Sequence, residues 1–344
     1  MKRLSSSEAV WPAIKKTWDE LFDAFQWSKY AKLCSVAVLA EGIVVCYRFS
    51  VRNDLTSELS VPDLRTVWDS PYFPLVIWAA LSAIILLGFG YYTIVRLRFV
   101  LFHLLVFRPR EFRAGWELHG KTALRMLFAC GLSWLVVFAC IGIEATVMAI
   151  GGVTLFTARA DDGRLDPGVL LLMYLIAFLT GIALLVLVAV VRIILHDFIL
   201  PHMALDHVGF WGAWSKFRKI FSAEKETFFW YMVLRILLSV IPWAIVATVA
   251  TAVGYLLIWA LSGSATGYDF LLGGTEDFRD YVRSALDVIF VLSGLATGVL
   301  LNFVLGGSLA VWTRNFALLF YAGRYSRLGD AMSMSSSSGK LASH

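Results

Sequence analysis

Residues 169–193 read VLLLMYLIAFLTGIALLVLVAVVRI, with no Asp, Glu or Lys and a single Arg. A helix needs about 20 apolar residues to cross the roughly 30 Å hydrocarbon layer of a bilayer, and this run is long enough. In lipid every backbone N–H and C=O must be satisfied within the segment, so such a run is a helix. It lacks the alternation of apolar and polar residues that a barrel strand requires.

Working outward, the same reading places helices near 32–49, 73–95, 124–153, 232–261 and 285–312. The expected fold is therefore an all-α membrane protein with six transmembrane helices. The chain divides into an amphipathic N-terminal segment (1–31), a six-helix domain (32–322) and a largely disordered tail (323–344). The tail ends SMSSSSGKLASH, with little to bury. The stretch 156–168, with Asp161, Asp162, Gly163 and Asp166, reads as a solvated turn that lacks the remaining ligands of a calcium loop.

Composition agrees. The 344 residues are 59% hydrophobic and only 16% charged, where soluble domains carry about 25% charged residues. The net charge of +5 is concentrated beside apolar runs, as expected for contact with anionic lipid headgroups, and no nucleic-acid-reading motif accompanies it. Twenty-two Lys and Arg fall in the N-terminal segment, the second and fourth loops and the tail, against seven in the other three loops. The positive-inside rule then puts both termini in the cytoplasm, in agreement with an even number of spans. Residues 1–30 lack the early apolar core of a cleavable signal. Cys34, Cys46, Cys130 and Cys140 all lie in apolar runs and read as small hydrophobes.

Two segments are amphipathic. Val10, Ile14, Trp18, Leu21, Phe22 and Phe25 recur at helical spacing against Lys15, Lys16, Asp19, Glu20 and Asp23, with Pro12 in the first turn. Phe210, Trp214, Phe217 and Phe221 form a second stripe against Lys216, Arg218 and Lys219. Such helices either lie at the headgroup level or pack on the ends of the bundle. Phe99-Val-Leu-Phe-His103 followed by Ala114-Gly-Trp116 resembles Phe198-Ile-Leu-Pro-His202 followed by Ala213-Trp214, which suggests repeated two-helix hairpins.

Three stretches carry a wider resemblance: WPAIKKTWDELFDAFQWSKYAKL, RLRFVLFHLLVFRPREFRAGWELHGKTALRMLF and DFILPHMALDHVGFWGAWSKFRKIF. Together they resemble a family of uncharacterised bacterial and archaeal six-helix membrane proteins. They are more distantly similar to the membrane domain fused to some glycerophosphodiester phosphodiesterases. The resemblance implies a prokaryotic cytoplasmic membrane. It implies no activity, since the phosphodiesterase chemistry of those proteins resides in a separate soluble barrel.

Ionisable groups at membrane depth cost about 2.5–3.5 kcal/mol or more and are the first candidates for function. Here they are Glu41, Glu144 and Arg235, with Asn302 or Arg235 as a possible partner for Glu41. Each glutamate reads either as a proton or cation site or as a hydrogen-bonded stitch between helices. Arg235 reads as a snorkelling interface residue. His196, His202, Asp206 and His207 are weak metal candidates, interrupted by Pro201, which biases Leu200 away from helix. Gly294 with Gly298 and Ala250 with Gly254 are candidates for close helix packing, and Gly306-Gly307 for a kink. No HExxH, GxSxG or phosphate loop is present. The expectation is a non-catalytic accessory, scaffold or membrane-organising protein without cofactor. Its expected partners are anionic lipids and a membrane-protein partner or further copies of itself. A transporter of a small solute, ion or lipid using Glu41 is the alternative, and a membrane metalloenzyme the third reading.

Overall fold

The computed structural model describes residues 3–23, 25–41, 73–107, 112–162, 167–241 and 302–341, with isolated positions between 244 and 300. The described elements are helical. They are α1 (Val10–Phe22), α2 (Trp27–Glu41), α3 (Phe73–Phe107), α4 (Phe112–Leu118), α5 (Gly120–Asp162), α6 (Pro167–Ile193), α7 (Leu200–Leu205) and α8 (Phe210–Ala223). A helix (α9) covers 225–241, and α10 (Gly307–Ala322) and α11 (Ser326–Leu341) follow. Wide π-turns at Ile194–Ile199 and Asn302–Gly306 lead into α7 and α10.

Four described helical stretches are long and apolar enough to cross a membrane: Phe73–Phe107, Gly120–Thr146, Tyr174–Leu205 and Phe303–Ala322. The expected first run is helical as far as Glu41, and the fifth is helical through 241. The remainder of both, most of 285–301, and the packing candidates Ala250, Gly254, Gly294 and Gly298 lie outside the described residues.

Several boundaries differ from expectation. The helix α3 runs on to Phe107, beyond the expected end at 95, because Val95, Leu97, Phe99 and Val100 are buried and hold this stretch helical past Arg96 and Arg98. The helix α5 continues to Asp162, through part of the expected solvated turn. The tail, expected to be largely disordered, carries a helix over Ser326–Leu341 with Leu328 and Met332 buried. Leu200, expected to leave the helix before Pro201, is helical at φ −56°, ψ −45°. A proline ring clashes with the carbonyl four residues back in an α-helix. The π-turn avoids this by widening the coil, and the Leu200 N–H bonds Leu195 O, five residues back. The path ends at Asp206, after which His207 takes φ 53°, the left-handed conformation that commonly terminates a helix.

The chain forms two compact units. One comprises 11–101 and 237–316. In it Leu21, Tyr30 and Cys34 pack with Leu33, Phe303 and Val304. Gly307 is required here: a Cβ on it would lie 2.4 Å from Cys34 Cβ. The second π-turn joins this contact, since Val304 O accepts from Tyr30 Oη at 2.7 Å and Ser308 Oγ at 2.9 Å. From Pro74 to Phe89 α3 is exposed, carrying Leu75, Trp78, Leu86 and Leu87 outward. An apolar helix exposed on every face suits lipid and not water.

The other unit comprises 1–10, 102–236 and 317–344. Its core is aromatic. Phe198 stacks on Phe217 with centroids 5.1 Å apart, Tyr231 stacks on Phe320 at 4.2 Å, and Phe228 meets Phe320 edge-on at 5.6 Å. Phe217 is buried while Trp211 of the same helix is 71% exposed, so the α8 stripe packs on the bundle. Gly115 makes room for His103, whose Cδ2 would be 3.2 Å from a Cβ there.

Candidate functional site: buried charge pairs within each unit

Glu41 closes the described part of α2 and is 8% exposed. Its Oε1 lies 3.7 Å from Nε of Arg314 on α10. Beside it, Arg98 Nε donates to Ala40 O at 2.7 Å, and both arginines are buried. One residue further on, Asn315 Nδ2 donates to Thr17 Oγ1 at 3.0 Å and Glu20 Oε2 at 2.7 Å, fastening α1 to α10. Among the described residues Arg314 is the cation beside Glu41, while Arg235 pairs with Asp197. Sequence reading counted Arg314 and Arg98 among the loop charges. The helices extend past both, so the arginines are carried inside.

In the other unit Asp197 sits in the first π-turn, 3% exposed. It accepts from Tyr231 Oη at 2.9 Å and Arg235 Nε at 3.1 Å. Arg235 therefore does not snorkel: it is 7% exposed and held inward by a carboxylate on another helix. Sequence reading missed Asp197 as the partner because it appeared only as a neighbour of His196.

The helix ends of this unit form a third cluster. Asp206 Oδ2 lies 2.7 Å from Lys216 Nζ and 3.4 Å from His202 Nδ1, and Oδ1 accepts from Arg327 at 2.7 Å. His202 Nε2 meets Tyr321 Oη at 2.8 Å. With the proton on Nδ1 toward the carboxylate, Nε2 accepts from the tyrosine, which satisfies both ring nitrogens. Burial works to raise the Asp206 pKa, but the hydrogen bonds from Lys216 and His202 and the charge of Lys216 outweigh it and bring it to about 2. Burial, together with Asp206, pushes the Tyr325 hydroxyl up. Nearby, Arg324 donates to Glu224 Oε2 at 2.7 Å and to Leu4 O at 3.0 Å, and it lies 4.1 Å over the Phe320 ring.

His103 does not join His202. It faces His119, ring centroids 5.7 Å apart. Burial, with His103 and His207 near, lowers His119 to about 4. Among the described residues no three His, Cys, Asp or Glu side chains come together to hold a metal, and His196, His202, Asp206 and His207 do not converge as one. Glu144, partly exposed on α5, pairs with Thr180 Oγ1 at 2.7 Å. The Asn302 side chain lies outside the described residues.

Long apolar helices exposed along much of their length, with buried ion pairs near their ends, define a helical membrane protein. The chain belongs to the family of unknown function DUF7544, which matches residues 4–331. Comparison with curated proteins and with solved structures finds no match.

Proposed function

We propose that this chain is a non-catalytic integral membrane protein: an accessory or scaffold subunit, or a membrane-organising domain. In this reading six helices cross a prokaryotic inner membrane as repeated two-helix hairpins, with both termini cytoplasmic. The hairpin repeat is supported by Phe99 and Phe198, which are both fully buried four residues before His103 and His202 near the ends of long apolar helices.

The observation that carries the reading is the pairing of Glu41 with Arg314 and of Asp197 with Arg235. A substrate or ion site keeps a charge available to its ligand, whereas Glu41 and Asp197 each meet a guanidinium of the same chain. Such pairs fix helix register at little net gain in stability. One observation favours the alternative, transport of a small solute, ion or lipid: Glu144 lies partly exposed on a long apolar helix, with the Thr180 hydroxyl as its described contact.

Glu41→Gln in proteoliposomes tests the choice. As a scaffold, the variant loses thermal stability, and Glu41→Gln with Arg314→Met regains most of it. A variant that keeps its stability but loses proton-, cation- or solute-dependent flux would replace this reading with transport.

A further inference from the structure

Of the apolar stripe that periodicity marks on α1, the structure buries Leu21 and leaves Ile14, Trp18 and Phe22 exposed. Ala13, Thr17 and Leu21 face inward, and Thr17 and Glu20 are tied to Asn315. Trp11, Ile14, Trp18 and Phe22 are 72%, 38%, 63% and 40% exposed. Lys15, Asp19 and Asp23 are exposed as well. At about 100° per residue these sets fill three arcs, each roughly 80° wide, the aromatic one centred about 100° from each of the other two, which lie about 160° apart. One arc is small and packed, one is aromatic, and one is charged.

A helix surrounded by water has no use for the aromatic arc, and a helix buried in a bundle has none for the charged one. Three distinct arcs match a helix lying in the membrane surface against its own bundle, which touches protein, lipid and water at once. The aromatic arc continues past the helix as a ring ladder. Centroids lie 4.6 Å apart from Trp18 to Phe22, 6.4 Å from Phe22 to Phe25 and 6.2 Å from Phe25 to Trp27, where α2 begins. Trp and Tyr concentrate at the headgroup boundary because their rings are apolar and their N–H and O–H groups stay wet. Exposed Lys15, Lys29 and Lys32 flank the ladder, as suits an anionic leaflet.

We infer that the Trp11–Trp18–Phe22–Phe25–Trp27 face is a lipid-binding surface, seated at the headgroup–acyl boundary of an anionic bilayer, and that α1 is an interfacial helix clamped to the bundle through Asn315. The surface commits to lipid because the ladder is continuous with α2, which leads into the first apolar run.

The test is spin-label accessibility in proteoliposomes of phosphatidylglycerol and phosphatidylethanolamine. The native cysteines are replaced by alanine, and single labels are placed at Trp18→Cys and Asp19→Cys. The expected ratio of oxygen to nickel-chelate accessibility is several-fold higher at 18 than at 19. Equal nickel access at both positions would overturn the proposal in favour of water exposure. Shielding of position 18 from both reagents would overturn it in favour of a covering protein. Where the cysteine-free chain does not fold, brominated phospholipids quench the tryptophans of the native chain. The Trp11→Phe/Trp18→Phe/Trp27→Phe variant then loses a measurable part of the bromolipid-quenched emission. An unchanged quenched fraction would contradict the assignment.

Discussion

Arg235 shows what a single side chain does at membrane depth. Its guanidinium turns inward to Asp197, whose same oxygen also accepts from Tyr231. Removing one member of a buried pair leaves an uncompensated charge and costs about 3–5 kcal/mol, whereas replacing both with apolar groups is far milder. Arg235→Met is therefore expected to lower the unfolding midpoint in detergent sharply, and Arg235→Met with Asp197→Leu to recover most of the loss. Equal losses in the single and double variants would sever the pair. His119 makes a second residue-scale prediction. Its pKa is depressed from 6.5 to about 4 in the fold, so the stability it contributes is complete above pH 6.5 and drains as pH falls to 4. Asp206, depressed from 3.8 to about 2, loses its contribution only in the more acidic window between those values. Melting temperature should fall between pH 6.5 and 4, and His119→Phe should flatten that limb while leaving the steeper loss below pH 3.8. Glu41 was legible as a costly residue because a glutamate in an apolar run stands out. Its partner was not, because pairing between helices distant in sequence leaves no spacing to read. Arg98 and Arg314 were hidden for a different reason: hydropathy falls at an arginine, so the runs were drawn to stop short of them.

At the scale of the element, four described helical stretches have the length and apolarity to cross a membrane, since bilayer thickness sets that length. Helix ends do not follow from it, because packing decides them: buried Leu328 and Met332 hold a serine-rich tail helical, and a π-turn carries the chain through Pro201. A π-turn has no sequence signature, being a local shift in hydrogen-bond register. Gly306-Gly307 was read as a kink, and the pair does close a π-turn and open α10, but Gly307 also admits Cys34. The substitution Gly307→Ala places a methyl against the Cys34 backbone and side chain and should destabilise by about 1–3 kcal/mol, as overpacking does. Cys34→Gly should partly rescue it in a thermal shift assay. No rescue would mean that α2 and α10 do not meet there. The stripe on α1 was visible as apolar periodicity, but which arc faces the bundle was not, because small Ala13 and Thr17 form the packed face and the large aromatics do not.

For the whole molecule, α3, α5 and α6 expose long apolar stretches while Glu41 and Asp197 each pair with an arginine of their own unit, and the proposed scaffold role places the working surfaces on the flanks. A scaffold or accessory subunit is expected to travel with what it organises. The most direct measurement is native mass analysis of the protein released from its own membrane in lipid-preserving particles. The account predicts a stoichiometric membrane-protein partner or a defined oligomer with anionic lipid retained. A lone chain carrying a defined small solute, released on Glu41→Gln, would contradict it.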